Sequence, residues 1–149
     1  MKILIGVDDS KFSQAAVEAV AQRQWAPHTQ VKVVSAVEPP FTPEAAVLGR
    51  EGNHYDVARK ALDQAIATLR ASNMRFELTG DIIEGTPKQV LLDEAEAWGA
   101  DLLVVGSHGR RGLERFLLGS VSQAVALHAP CSVEIVRVPS SKRAHTAAA

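Results

Sequence analysis

Apolar residues along the chain follow two habits, short unbroken runs and recurrences every three or four positions. Ile3, Leu4, Ile5 and Val7 form a run rich in β-branched residues that stops at Asp8-Asp9-Ser10, where a helix can begin. Phe12, Ala15, Ala16, Ala19 and Val20 then recur at helical spacing. Val31, Val33, Val34 and Val37 make a second buried strand, ended by Pro39-Pro40 because proline lacks the amide that a ladder needs. A polar, glycine-containing stretch is expected to about Asn53, after which Tyr55, Ala58, Leu62, Ala65, Ile66 and Leu69 restore one helical face. Phe76, Leu78, Ile82 and Ile83 suggest a third strand. Thr86-Pro87-Lys88-Gln89 looks like a helix start, with Pro87 at the first helical position and Thr86 and Gln89 poised to exchange capping bonds; this helix should end near Gly99. Leu102 to Val105 is an all-apolar fourth strand, Val121, Ala124 and Val125 share a helical face, and 131–138 supplies a fifth strand after Pro130.

Strands that alternate with helices pair in parallel through right-handed crossovers, and near-continuous apolar strands are covered on both faces. The pattern therefore predicts a doubly wound, Rossmann-like α/β domain with helices on both faces of the sheet. In such folds ligands bind beyond the carboxyl ends of the strands, where the strand order reverses, so Asp8, Val37 and Gly106 should converge. That places the stretch VVGSHGRRGLERFLLGSVSQAV, residues 104–125, at the expected site.

Composition narrows the partners. With 149 residues, 46% of them hydrophobic, the chain suits one domain able to bury roughly 70% of its unfolded surface. Residues 1–138 are read as a single domain, and 139–149, which lack a burying pattern, as a disordered tail. A formal net charge of -1, with both signs interspersed, gives no footprint for nucleic acid or an anionic membrane surface. No apolar segment approaches the roughly 18 to 20 residues that cross a bilayer. The N-terminal MKILIGVDDS has too brief an apolar run for a secretory signal, and the lone Cys131, read as a core residue, has no internal disulfide partner; a cytoplasmic location is the expectation.

The glycines carry the candidate chemistry. Phosphate is held by backbone amides aimed at it, and glycine lets the chain approach closely or adopt positive φ. Gly106 and Gly109 fit that need, and Gly119-Ser120 open a helix whose free amides and dipole favour an anion, with hydroxyls offered by Ser120 and Ser122. A micromolar ligand requires about 8 kcal/mol, and each hydrogen bond to a charged group contributes about 1.5 to 3, so four or five suffice. No GKS or GKT is present, and Gly106, Gly109 and Gly112 miss the GxGxxG spacing. Arg110 is either a phosphate contact or part of a solvated charge run with Arg111, Glu114 and Arg115. Asp9 and Ser10 serve equally well as helix caps. His28, His54 and His128 read as surface or helix-end residues.

Gly106, Gly109, Gly119 and Ser120 give the pattern G-x2-G-x9-G-[S/T], and with Asp8 ending the first strand, GTP at 85–87 and GADLLVVGSHGRRG, the chain resembles the ATP-binding universal stress proteins from Lys2 to about Val138. That resemblance implies a five-stranded parallel sheet ordered 3-2-1-4-5, a homodimer pairing through the last strand, and an adenine nucleotide (ATP, or AMP or ADP) lying across the strand ends. It implies that Asp8 meets ribose or base with Gly6 and Val7 beside it, and that Ala36 and Val37 lie by adenine, although Ser35 stands where histidine is often seen. Val105, Gly106, His108, Gly109, Arg110, Gly119, Ser120, Val121 and Ser122 carry over as the triphosphate cradle, with any Mg or Mn held through the phosphates. The role implied is a regulatory module in the stress response.

Two other classes compete with that reading. A slow metal-dependent ATPase or phosphotransferase requires a positioned base and metal ligands, for which only Asp8, Asp9 and His108 offer themselves; no catalytic residue and no metal site are assigned. A phospho-receiver needs an acceptor aspartate after the third strand and a lysine after the fifth, and neither Glu84-Gly85-Thr86 nor Val136-Arg137-Val138 supplies one.

Overall fold

In the computed structural model, residues 1–39, 50–73, 75–109 and 118–138 are described. Their elements run β1 (Lys2–Gly6), α1 (Lys11–Ala21), β2 (Gln30–Val37), α2 (Arg50–Arg70), β3 (Glu77–Glu84), α3 (Pro87–Trp98), β4 (Leu102–Gly106), α4 (Ser120–His128) and β5 (Ser132–Val136). The strands form one parallel sheet in the order β3-β2-β1-β4-β5, as the α/β reading and the resemblance imply.

Side-chain alternation splits the interior into two layers. Ile3, Ile5, Val31, Val33, Leu102 and Val104 face Ala16, Val17 and Val20 of α1 and Leu62, Ala65 and Leu69 of α2. Leu4, Val34, Leu103 and Val105 face Val90, Leu91 and Ala95 of α3 and Val125 of α4. Ile3, Leu4, Ile5, Leu69 and Leu103 are fully buried, and each such side chain contributes about 1.5 to 3 kcal/mol relative to exposure. Because the chain winds outward from β1 to β3 on one face and then returns to β4 on the other, β2 and β4 leave β1 in opposite directions. The crevice of a doubly wound sheet forms at that reversal.

One polar cluster, centred on Lys32, ties α3 to the sheet. Lys32 on β2 bonds Glu94 of α3 and lies 3.3 Å from Asp81 of β3, with its ammonium 5.8 Å from the Trp98 ring centre. Burial opposes the charge, but the bonds to Glu94 and Asp81 outweigh it and raise the pKa above the ordinary lysine value. Cys131 is half-buried against the α3/α4 layer, and burial raises its thiol pKa.

Several local expectations are corrected. The helix after β2 begins at Arg50, so Gly52 and Asn53 fall inside it. Thr86 is the N-cap of α3 with Pro87 following, but its side chain makes no capping bond, and Gln89 donates instead to Asp93 one turn on, at 2.7 Å; the reciprocal box does not form. Phe76 packs against the α1/α2 layer just before β3 begins. Gly99 does end α3, in a left-handed conformation with φ 70°. The expected tail, 139–149, lies outside the described residues.

Candidate functional site

The carboxyl ends of β1, β2 and β4 meet the amino ends of α1, α3 and α4 around a cavity of about 100 Å³. From the strand side come Gly6, Val7 and Asp8, Val34 and Ala36, and Val105 and Gly106. His108 and Gly109 continue the wall beyond β4, and Ser13, Pro87, Leu91, Val121 and Ser122 close it from the helices. Ten of the fourteen residues singled out from the sequence thus line one space. Val37 is buried but lies outside the lining, because strand alternation turns it to the α1/α2 face while Val34 and Ala36 face the cavity. Gly119 and Ser120 stand just behind, at the start of α4, and Arg110 lies outside the described residues.

Val34, Ser13, Pro87 and Leu91 were missed by sequence reasoning. Period-two alternation from Ala36 points to Val34, and helical spacing from Pro87 points to Leu91 on the inward face of α3. Nothing comparable marks Ser13.

At the β1–α1 turn, Asp8 and Ser10 organise a closed set of bonds. Ser10 is the N-cap of α1, and its hydroxyl oxygen accepts from the Ser13 amide at 3.2 Å. The Ser10 amide donates to Asp8 Oδ1 at 2.8 Å, and the Asp8 amide donates to Ser13 Oγ at 3.0 Å. Oδ1 is therefore anchored, while Oδ2 faces Gly109: a Cβ placed on Gly109 would lie 3.2 Å from it.

The loop after β4 is arranged differently. Gly119 is the N-cap of α4 and has no side chain with which to cap it, so the amides of Ser120, Val121 and Ser122 have no carbonyl partner within the helix. The Gly119 amide itself donates to the Ser107 carbonyl at 2.8 Å. A Cβ on Gly119 would sit 3.1 Å from His108 Cα, 3.3 Å from the Ser107 carbonyl oxygen and 3.6 Å from the Gly109 nitrogen, so any larger residue would crowd the meeting of the two segments. Gly106 serves packing: a Cβ there would come within 2.5 Å of the Phe12 carbonyl carbon. Neither Gly106, Gly109 nor Gly119 has positive φ, which among the described glycines belongs to Gly85 and Gly99; the glycines of the loop provide room rather than unusual backbone angles.

His108 is placed by Ser107 Oγ, 3.0 Å from its Nδ1, and by the Phe12 ring, whose centre is 5.1 Å from the imidazole centre. The Ser122 hydroxyl, expected to face a ligand, donates to the Ser107 carbonyl at 2.9 Å and the Gly119 carbonyl at 3.0 Å. Among the described residues no group of three or more His, Cys, Asp or Glu side chains is placed to hold a metal ion.

A five-stranded parallel sheet with a cavity at its topological reversal defines a Rossmann-like α/β module. Residues 1–137 match the model of the Universal stress protein family, and the chain belongs to that family. Universal stress protein A homolog 2 of Coxiella burnetii is 33% identical over 144 residues, an overlap of 94% of this chain and 97% of that one. Among solved structures, a universal stress protein in complex with cAMP is 29% identical with a TM-score of 0.70, covering 91% of this chain and 96% of its own. The hypothetical protein MJ0577 shares the fold at a TM-score of 0.80 and 24% identity, over 94% of this chain and 97% of its own.

Proposed function

We propose that this chain is an adenine-nucleotide-binding module of the ATP-binding subgroup, with a regulatory role in the stress response exerted through nucleotide occupancy. One observation carries the reading: the uncapped amides opening α4 and the Gly109 amide are brought together on one wall of the cavity, as a polyphosphate requires. The relative crystallised with cAMP, at 29% identity, supports an adenine nucleotide as the ligand class.

In this assignment the triphosphate rests on Val105, Gly106, His108, Gly109, Arg110, Gly119, Ser120, Val121 and Ser122. The nucleoside lies toward Asp8, whose Oδ2 accepts from a ribose hydroxyl or the base, with Gly6 and Val7 beneath it. Val34, Ala36 and Leu91 supply apolar surface for adenine, Val34 and Leu91 being additions made by the geometry and Val37 standing behind them. A bound Mg or Mn is held by phosphate oxygens. Residues 1–138 act as one domain, and two copies pair through the outer edge of β5, a strand with one neighbour in the sheet and half-buried Val133 and Ile135.

Native mass spectrometry of the purified full chain tests nucleotide and dimer together: an adenine nucleotide on a dimer mass is expected. Calorimetry then ranks ATP against adenosine. Failure to bind any adenine nucleotide at millimolar concentration would end the assignment.

A further inference from the structure

We infer that Ser122 is a positioning residue for the anion cradle, acting through the Ser107 carbonyl rather than by donating to a ligand. This inference rests on the nucleotide-binding reading for its functional consequence, but its structural half stands independently. Ser122 is buried, 2% exposed, at the third position of α4. A serine hydroxyl has one proton, and here it is shared between the carbonyls of Ser107, fifteen residues back, and Gly119, three residues back. The Ser107 carbonyl also accepts the Gly119 amide at 2.8 Å. A single carbonyl oxygen at the end of β4 thus gathers both the N-cap and the third residue of α4.

The consequence is geometric. Ser107 is itself fixed to the sheet, its amide donating to the carbonyl of Val136, the last residue of β5, at 2.9 Å. Gly119 lies against Ser107, His108 and Gly109 at this point, so the separation between the Gly109 amide and the opening amides of α4 is set by how tightly Gly119 is held to Ser107. Ser122 holds it from the helix side. Because the hydroxyl proton is engaged, the amide of Ser122 remains the group available to an anion, while its oxygen presents lone pairs that a phosphate cannot use.

The experiment compares the unaltered full chain with Ser122→Ala by amide hydrogen exchange without ligand and by calorimetry with ATP and with adenosine. Expected are faster exchange at the Gly119 amide and an ATP affinity lower by roughly tenfold, the loss of one hydrogen bond's worth of positioning, with adenosine affinity unchanged. Ser122→Cys, which keeps a side-chain donor, weaker and on a somewhat larger atom, should show smaller changes in the same direction and provides the reading if the alanine variant does not fold. Unchanged Gly119 exchange with reduced ATP affinity would make the hydroxyl a direct phosphate donor and overturn the inference. Equal losses for ATP and adenosine would overturn it as well. Should the unaltered chain bind no adenine nucleotide, the functional reading falls, while Gly119 exchange still decides whether Ser122 holds the loop.

Discussion

Two helices begin within the same cavity wall and are finished in opposite ways. The amino end of α1 is closed by its own sequence: Ser10 caps the Ser13 amide and Asp8 takes the Ser10 amide. The amino end of α4 is left open by a glycine N-cap. Helix dipoles make both ends electropositive, yet a carboxylate already occupies the first, so under the proposed function the anionic part of the ligand belongs at the second. A neutral part of the ligand rich in hydroxyl donors is the complement of the first, since the outward Asp8 oxygen can only accept while ionised. The difference teaches that a helix N-terminus becomes an anion site by what its sequence omits. It also gives the cavity a polarity, one helix end closed by a carboxylate and the other left open.

The largest effect should come from filling the open end. Gly119→Val places branched carbons against the His108 and Ser107 backbone, and ATP affinity measured by calorimetry should fall by about a hundredfold or more, the equivalent of two lost charged hydrogen bonds. Wild-type affinity in this variant would remove the open end from the mechanism. Next, Asp8→Asn keeps an oxygen for the Ser10 amide but removes the charge, and both adenosine and ATP should weaken by about tenfold. A loss confined to ATP would place the triphosphate, not the nucleoside, at α1.

Two smaller effects sharpen the contrast through stability. Ser10→Ala removes a side-chain cap and should cost about 1 kcal/mol in denaturant unfolding without changing ATP affinity. If it lowered affinity as much as the Asp8 variant, the cap and the ligand contact could not be separate. Thr86→Ala, at the α3 terminus, removes no capping bond and should change stability by less than about 0.5 kcal/mol. A cost equal to that of Ser10→Ala would show that the Thr86 hydroxyl caps in solution.

Much of this architecture was legible because parallel strands buried on both faces announce themselves as runs, as Leu102 to Val105 does, and helices by period. The sheet order came from the likeness of Gly106, Gly109, Gly119 and Ser120 to a family pattern rather than from periodicity. Legibility failed where one residue type serves two ends. Gln89 is equally able to reach back to the Thr86 amide or forward to Asp93, and it reaches forward. Serine after a helix start signals a hydroxyl, but not whether that hydroxyl faces a ligand or, as at Ser122, the Ser107 carbonyl. The polar run through Gly52 and Asn53 reads locally as a loop, whereas α2 packs against the sheet further along and extends back through it. The cavity wall contributed by Leu91 depends on Gly6, far off in the chain but adjacent in space: a Cβ there would meet Leu91 Cδ1 at 2.7 Å, a relation that no local pattern encodes.

Gly106 bears on how any collection of loop variants should be interpreted. It sits with the other motif glycines in the chain, yet its missing side chain faces the backbone of Phe12. Bulk at this position would act as a wedge, prising the first helix from the sheet before it touched a ligand. A screen that scores only lost binding would group all three glycines together, whereas a thermal melt run in parallel would separate the hinge-pin of the scaffold from the residues that shape the grip.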